Sequence, residues 1–362
     1  LVSQCNSPKK EYMIGFILRR LGYGIMVVLG VVFVVFFLFH VLPGDPVGVL
    51  VGEHGSKEVR ENITKDLGLN KSLPVQFAYY LNDLSPISVH TDNKAHQEKY
   101  KYFTLLPVGK RTLVVKYPYL RRSYRTNKKV SEILMENIGA TLVLAVVSMF
   151  FATLIGIVFG IFAALNQNTF VDYSLVTISV LGISTPSFVM AITISVIFGY
   201  YLKDYTGLSH IGSLWETSIE GTTLKLKNLI LPATTLALRP LAIIVQLTRS
   251  SMLDVMSQDY IRTARAKGLL FYRVVAKHAL KNALNPVITA VSGWLASLMA
   301  GTFFIEYVFD WKGLGYTIIK AVEDRDLPII MGTTIFIACI FVVINILVDI
   351  LYSTIDPRIK LK

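Results

Sequence analysis

The chain has 362 residues, of which 53% are hydrophobic and only 17% charged, and its mean hydropathy is +0.54. This is the composition of a polytopic membrane protein rather than of a soluble domain or a disordered chain. The formal charge of +12 comes with no aromatic-interleaved basic stripe and no finger spacing, which argues against nucleic acid as a partner. The two cysteines, Cys5 and Cys339, lie far apart, so neither a disulfide framework nor a CxxC metal site is present.

Six apolar stretches reach the roughly 20 residues that a helix needs to cross a bilayer: 21–42, 138–165, 173–202, 229–247, 286–305 and 327–348. The first is too long for the apolar core of a signal peptide and reads as a retained anchor. Cytoplasmic connections are rich in Lys and Arg. Residues 1–20 hold 4 basic and 1 acidic, 250–285 hold 6 and 2, and 356–362 hold 3 and 1, which places all three inside. The connections 203–228 (3 and 3) and 305–328 (3 and 5) then lie outside. The connection 44–129 is basic, with 15 against 8, but it is long enough to escape the charge rule.

The expected order is therefore a cytoplasmic segment 1–20, a first transmembrane helix 21–42 and a periplasmic segment 43–137. A permease-like core 138–355 and a tail 356–362 complete it. In the periplasmic segment, Leu42-Pro-Gly-Asp-Pro46 ends the first span, and 57–67 and 75–84 have helical spacing. Residues 110–119 alternate as a strand or hairpin does, so 85–129 reads as an inserted subdomain or as a contact surface for a binding protein.

Within the spans, Ala152, Gly156, Gly160 and Ala164 recur every four residues, as do Thr289, Gly293, Ser297 and Gly301. Such stripes let helix backbones approach closely in lipid, within the subunit, against a second subunit or along a path. The stretch 27–39 is bulky all round and is expected to face lipid. Pro186, in Ser184-Thr-Pro-Ser187, removes a backbone donor in mid-span and predicts a kink whose freed carbonyls the neighbouring hydroxyls can take up. Arg239 is a full charge near a helix centre and faces either a translocation path or a buried partner. Asp349 lies too far away to be that partner. The translocation-path candidates are Arg239, Pro186, Ser187 and Ser297.

Between the fourth and fifth spans, in 253–285, Tyr260-Ile-Arg-Thr-Ala-Arg-Ala-Lys-Gly268 reads as a short helix capped by Ser257 or Asp259 and stopped by Gly268. Tyr260, Ala264 and Gly268 share one small face suited to a groove, while Arg262, Arg265 and Lys267 point elsewhere. A second helix, 271–284, is expected to end before Pro286, which would open the fifth span.

This segment resembles the coupling loop of ATP-binding-cassette importer permeases, most closely in the oligopeptide and dipeptide branch. Ala264, Gly268 and Pro286 match the family's pattern, while Arg262 and Thr263 stand where it has Glu and Ala. The resemblance extends to Leu42-Pro-Gly-Asp-Pro46, to Glu306-Tyr-Val-Phe-Asp-Trp-Lys-Gly-Leu-Gly315, where Lys312 replaces a usual proline, and to Asp356-Pro-Arg358. It implies an all-α membrane fold of six helices and no catalysis by the chain itself. It also implies coupling to an ATPase through Tyr260, Arg262, Thr263, Ala264, Arg265, Ala266, Lys267, Gly268, His278, Asn285 and Pro286. Outer-face contacts are expected at Glu306, Trp311, Gly313 and Gly315.

The implied partners are a second homologous permease, two ATP-binding subunits that hold ATP and Mg, a periplasmic or lipid-anchored substrate-binding protein, and membrane lipid. The implied place is a bacterial inner membrane. The chain itself is expected to bind no cofactor and no metal. Peptides are the expected cargo, with nickel, glutathione and microcin-type substrates as alternatives on the same scaffold. The sequence has no G-x-x-x-x-G-K-[ST] and no H-E-x-x-H. A secondary transporter would need an intramembrane carboxylate pair or an inverted repeat, and the sequence has neither.

Overall fold

The computed structural model describes residues 7–41, 47–48, 61, 64, 69–90, 100, 102–108, 111–218 and 221–355. The motifs at 42–46 and 356–358 lie outside these, as does nearly all of the helix expected at 57–67. The main described elements are α1 (Ser7–Val41), α2 (Leu73–Leu84), β1 (Ile87–His90), β2 (Phe103–Val108), β3 (Arg111–Val115), α3 (Val130–Leu165), α4 (Phe170–Ser184), α5 (Ser187–Ile194, continued as a π-helix Ser195–Tyr201 and a short turn of helix Lys203–Thr206), β4 (Trp215–Ser218), β5 (Gly221–Leu224), α6 (Lys227–Met256), α7 (Asp259–Ala266), α8 (Leu280–Gly301, entered through a helical turn Phe271–Arg273 and a π-helix Val274–Ala279), α9 (Phe303–Val308), α10 (Leu314–Glu323) and α11 (Leu327–Ile355).

Four of these are long and apolar enough to cross a membrane, at Leu18–Leu38, Val130–Leu165, Lys227–Met256 and Leu327–Ile350. A fifth crossing arises if α4 and α5 count as one bent span. The fifth apolar stretch, 286–305, falls on α8 and α9, which break at Thr302. The chain is thus a multi-pass membrane protein built of helices, and it packs as two units.

One unit comprises the described parts of Val27–Glu136 and Thr317–Phe336. Here Phe36 on α1 packs on Phe77 and Tyr80 of α2. Val32, Val35 and Phe36 are buried while Phe33, Val34 and Phe37 are exposed, so this part of α1 is bulky all round but covered on one side. Of the strand or hairpin expected over 110–119, the structure forms one strand, β3, which is the centre of a three-stranded antiparallel sheet in the order β1-β3-β2. Asp83, at the end of α2, accepts from the Tyr100 hydroxyl at 2.7 Å and lies 3.5 Å from the Arg121 guanidinium. Its carbonyl accepts from the Tyr119 N–H at 2.9 Å.

The Ser123 hydroxyl donates to buried Asp326 at 2.5 Å, and Arg125 pairs with Asp324. The segment 85–129 is therefore not separable as expected: its last part, 119–129, holds Asp83 and Asp326 in place. The sheet is joined to these ties as well, because Tyr100, between β1 and β2, donates to Asp83.

The other unit comprises the described parts of Leu1–Met26, Asn137–Tyr316 and Ile337–Lys362. Its main core gathers Leu144, Met149, Leu236, Ile244, Val287, Ile305, Phe309 and Trp311. The first small-residue stripe is used inside the subunit. A Cβ at Gly156 would overlap Ile244, and one at Gly160 would overlap Thr248, because α3 lies directly against α6 there. The second stripe is not packed this way. Thr289, Gly293 and Ser297 are exposed on α8, and nothing lies within 4 Å of a Cβ at Gly293.

Candidate coupling and translocation site

The candidate coupling segment begins where α6 ends. The residue at the start of α7 is Gln258, extended at φ −72° and ψ 149°, not Ser257 or Asp259. Ser257 instead closes the preceding helix, its hydroxyl donating to the Asp254 carbonyl at 2.8 Å. Asp259 sits in the first turn of α7, where a negative charge suits the helix dipole. Gly268 ends the segment as the sequence suggests. It adopts φ +76°, which a side chain would strain, and its N–H donates to the Arg265 carbonyl at 2.9 Å.

The face of α7 turned toward its own chain differs from the expected one. Ile261 is fully buried and Ala264 nearly so, in a cluster with Met252, Val274, Val275, Ala279 and Ala283. Ala264 therefore seats α7 on its own subunit and is not available to a partner. Tyr260 is exposed, and its hydroxyl accepts from Asn282 at 3.0 Å, tying α7 to α8. The exposed face carries Arg262, Thr263, Arg265, Ala266 and Lys267, with Gly268 beside it. Arg262 lies 3.6 Å from Asp259, and Arg265 stacks over the Phe271 ring at 5.6 Å. His278 is half-buried and Asn285 exposed.

Pro286 does not open a new helix: it lies inside α8, which runs unbroken from Leu280 to Gly301. Its missing N–H leaves the Asn282 carbonyl without a helical donor, a defect that a helix tolerates where packing compensates.

One strong pair beside this segment escaped the sequence reading. Asp172, buried in the first turn of α4, accepts two bonds of 2.6 Å from Arg249 on α6, and a third of 3.0 Å from the Asn168 N–H. A separation of 77 residues gives no local signal, although an Asp at a helix start and an Arg near the inner end of a span are each visible. Bidentate pairs of this kind fix geometry as well as energy. Arg249→Lys keeps the charge but gives up one of the two bonds. It is expected to lower the melting temperature of the purified protein by an amount equivalent to about 1 kcal/mol, and an unchanged melting temperature would show that the pair does not brace α4 on α6.

The break at Pro186 is larger than a kink. Thr185 and Pro186 are extended, and the axes of α4 and α5 differ by 110°. The hydroxyls of Ser184 and Thr185 bond back to the carbonyls of Val180 at 3.0 Å and Leu181 at 3.2 Å, whereas the carbonyl that the missing Pro186 N–H would have served is that of Gly182. Beside the break lies a cavity of about 60 Å³, lined by Ser187, Thr235, Leu236, Arg239, Trp294 and Ser297 among others. Three of the four path candidates thus meet at one place, and the fourth, Pro186, precedes Ser187 directly. Asp349 is engaged elsewhere, 3.0 Å from Arg20.

The outer motif forms a buried knot. Glu306 is fully buried; its carboxylate accepts from the Thr141 hydroxyl at 2.8 Å and from the N–H groups of Gly315 at 2.7 Å and Tyr316 at 3.2 Å. Burial pushes its carboxyl up to about 7 against the pull of these donors. A Cβ at Gly313 would overlap Glu306 and Thr141, and one at Gly315 would overlap Phe303. Trp311 is fully buried and donates to the Ala140 carbonyl at 3.0 Å. These four residues were expected to contact a partner, but they are spent on holding the turn together. Tyr307 and Lys312 are the exposed members of the motif, and Lys312 pairs with Asp310 at 2.6 Å and lies over the Tyr316 ring.

The family model for the binding-protein-dependent transport system inner membrane component matches residues 156–361, and its N-terminal companion matches 13–145. The dipeptide transport system permease protein DppB of Alkalihalophilus pseudofirmus is 35% identical, with 96% of this chain and 100% of that protein covered. The chain belongs to this family of transport-system membrane components.

DppB of Escherichia coli K12 is 34% identical over 97% of this chain and all of that protein. A putative peptide permease protein of Brucella suis is 34% identical over 96% of this chain and 99% of that one. Among solved structures, the MetNI methionine ABC transporter in an inward-facing conformation has a similar fold. Its TM-score is 0.50 at 18% identity, covering 62% of this chain and 97% of that one. The family assignment and the ABC-permease fold agree with the resemblance drawn from the motifs.

Proposed function

We propose that this chain is the permease subunit of an ATP-driven peptide importer in a bacterial inner membrane. In this reading it pairs with a second homologous permease, above two ATP-binding subunits that hold ATP and Mg, and receives cargo from an external binding protein. The observation that carries the proposal is α7. It is a short helix between two membrane helices, fixed to its own subunit by Ile261 and Ala264, with a basic face of Arg262, Arg265 and Lys267 turned outward. A helix anchored on one side and free on the other can receive a push from a docked partner and pass it through Met252 into α6. The dipeptide permeases named above support peptides as the cargo class.

The path then runs past Arg239, Ser187 and Ser297, with α5 able to shift against α4 at the extended Thr185–Pro186 link. Closure of the ATPases would switch the opening of the path from one side of the membrane to the other. The chain does no chemistry itself. Affinity purification of the tagged chain from its native membrane tests the assembly: a P-loop ATPase and a second permease are expected with it in fixed ratio. A chain that purifies alone, or as a homo-oligomer without any ATPase, would end this reading.

A further inference from the structure

The cavity beside the Pro186 break holds polar groups that no other described residue engages. Among the described residues, the Arg239 guanidinium makes no hydrogen bond or ion pair, and the hydroxyls of Ser187 and Ser297 make no hydrogen bond. The carboxylates that could have reached into the bundle are held elsewhere: Asp172 by Arg249, Glu306 by Thr141 and two backbone N–H groups, Asp349 by Arg20. Arg239 sits twelve residues from the start of α6, about 18 Å along it, and about 26 Å from its other end. That depth leaves little room for the side chain to snorkel to either surface, and an unpaired charge there is costly unless it serves a cavity or a partner.

Pro240 adds an acceptor. It has no N–H, so the carbonyl of Leu236, which lines the cavity, lacks its helical donor. The site therefore presents one exposed, unpaired cation, one carbonyl without its helical donor, two hydroxyls and the broad apolar wall of Trp294. This set complements a carboxylate joined to an N–H and a side chain, which is the end of a peptide. It contains no acid to hold an ammonium.

We propose that Arg239, with Ser187 and Ser297, receives the free carboxylate of the cargo in transit, so that the permease itself selects for an uncapped C-terminus. This rests on the peptide-importer reading. The test uses the complete complex in proteoliposomes, with one binding protein throughout, and compares uptake of a peptide with uptake of its C-terminal amide. Because the binding protein is constant, any preference of its own cancels between permease variants.

Arg239→Leu is expected to lower uptake of the acid about tenfold, the loss of one charged hydrogen bond, while leaving the amide unchanged, so the acid-to-amide ratio collapses. Arg239→Lys should keep part of the ratio. A ratio unchanged in Arg239→Leu, or equal loss of both substrates, overturns the proposal. If Arg239→Leu does not assemble, Arg239→Gln is read by the same ratio, and failure of both to assemble would make Arg239 a structural charge and overturn it as well. If the wild-type complex moves no peptide at all, the importer reading itself fails, an outcome visible without any variant.

Discussion

Glu306→Ala is expected to lower the stability of the folded permease by about 3–5 kcal/mol, enough to reduce the amount recovered from the membrane. The substitution strands the Thr141 hydroxyl and the N–H groups of Gly315 and Tyr316 in a site that excludes water. Each stranded donor costs about 1–3 kcal/mol, less what a trapped water restores. Thermal unfolding of the purified protein measures this, and a loss below about 1 kcal/mol would show that the knot does not hold the turn.

The same carboxyl gives a pH signature. Its folded pKa is raised from 4.5 to about 7, so the folded chain binds this proton more tightly than the unfolded one. The residue's favourable contribution is full below 4.5 and is lost as pH rises through about 7. Wild-type stability should fall across that window relative to Glu306→Gln, which cannot titrate; parallel profiles would contradict the assignment.

Gly268→Pro is expected to abolish coupled transport while leaving insertion and assembly intact. Proline fixes φ near −65° where Gly268 needs +76°, and it removes the N–H that bonds the Arg265 carbonyl. The local penalty is about 3 kcal/mol or more, and it is met by displacing Lys267 and the end of α7. ATP hydrolysis by the assembled complex should lose its response to loaded binding protein, and uptake should fall more than tenfold, the equivalent of about 1.4 kcal/mol or more in the coupled step. Gly268→Ala is the milder control. No atom lies within 4 Å of its new Cβ, so only the left-handed backbone is strained, by about 1–2 kcal/mol. Coupled uptake at the wild-type rate in the proline variant would remove α7 as the coupling element.

The features legible from the sequence were those with a local cause. The break at Pro186, Gly268 at the end of α7 and the stripe through Gly156 and Gly160 each depend on near neighbours along one helix, and the structure realises them. The errors share another cause. Ala264 and Tyr260 lie four residues apart and look equivalent on a helical wheel, but Met252, Val274 and Ala283 cover Ala264 and leave Tyr260 exposed. Trp311, Gly313 and Gly315 looked like a surface motif because turn residues usually are. Only the long-range hydrogen bonds from Thr141 and to Ala140 make the turn internal. The Asp172–Arg249 pair was invisible for the same reason.

The family resemblance supplied what periodicity could not, namely the proposal that the basic loop between two spans couples this chain to an ATPase. The most direct measurement of that claim is uptake of a labelled dipeptide into proteoliposomes that contain this chain with its ATPase and permease partners. Uptake is predicted to require ATP and external binding protein together, and to persist when ion gradients are collapsed. Uptake of Ni²⁺ alone under the same conditions would keep the pump and replace its cargo, whereas dipeptide uptake driven by a proton or sodium gradient without ATP would contradict the account.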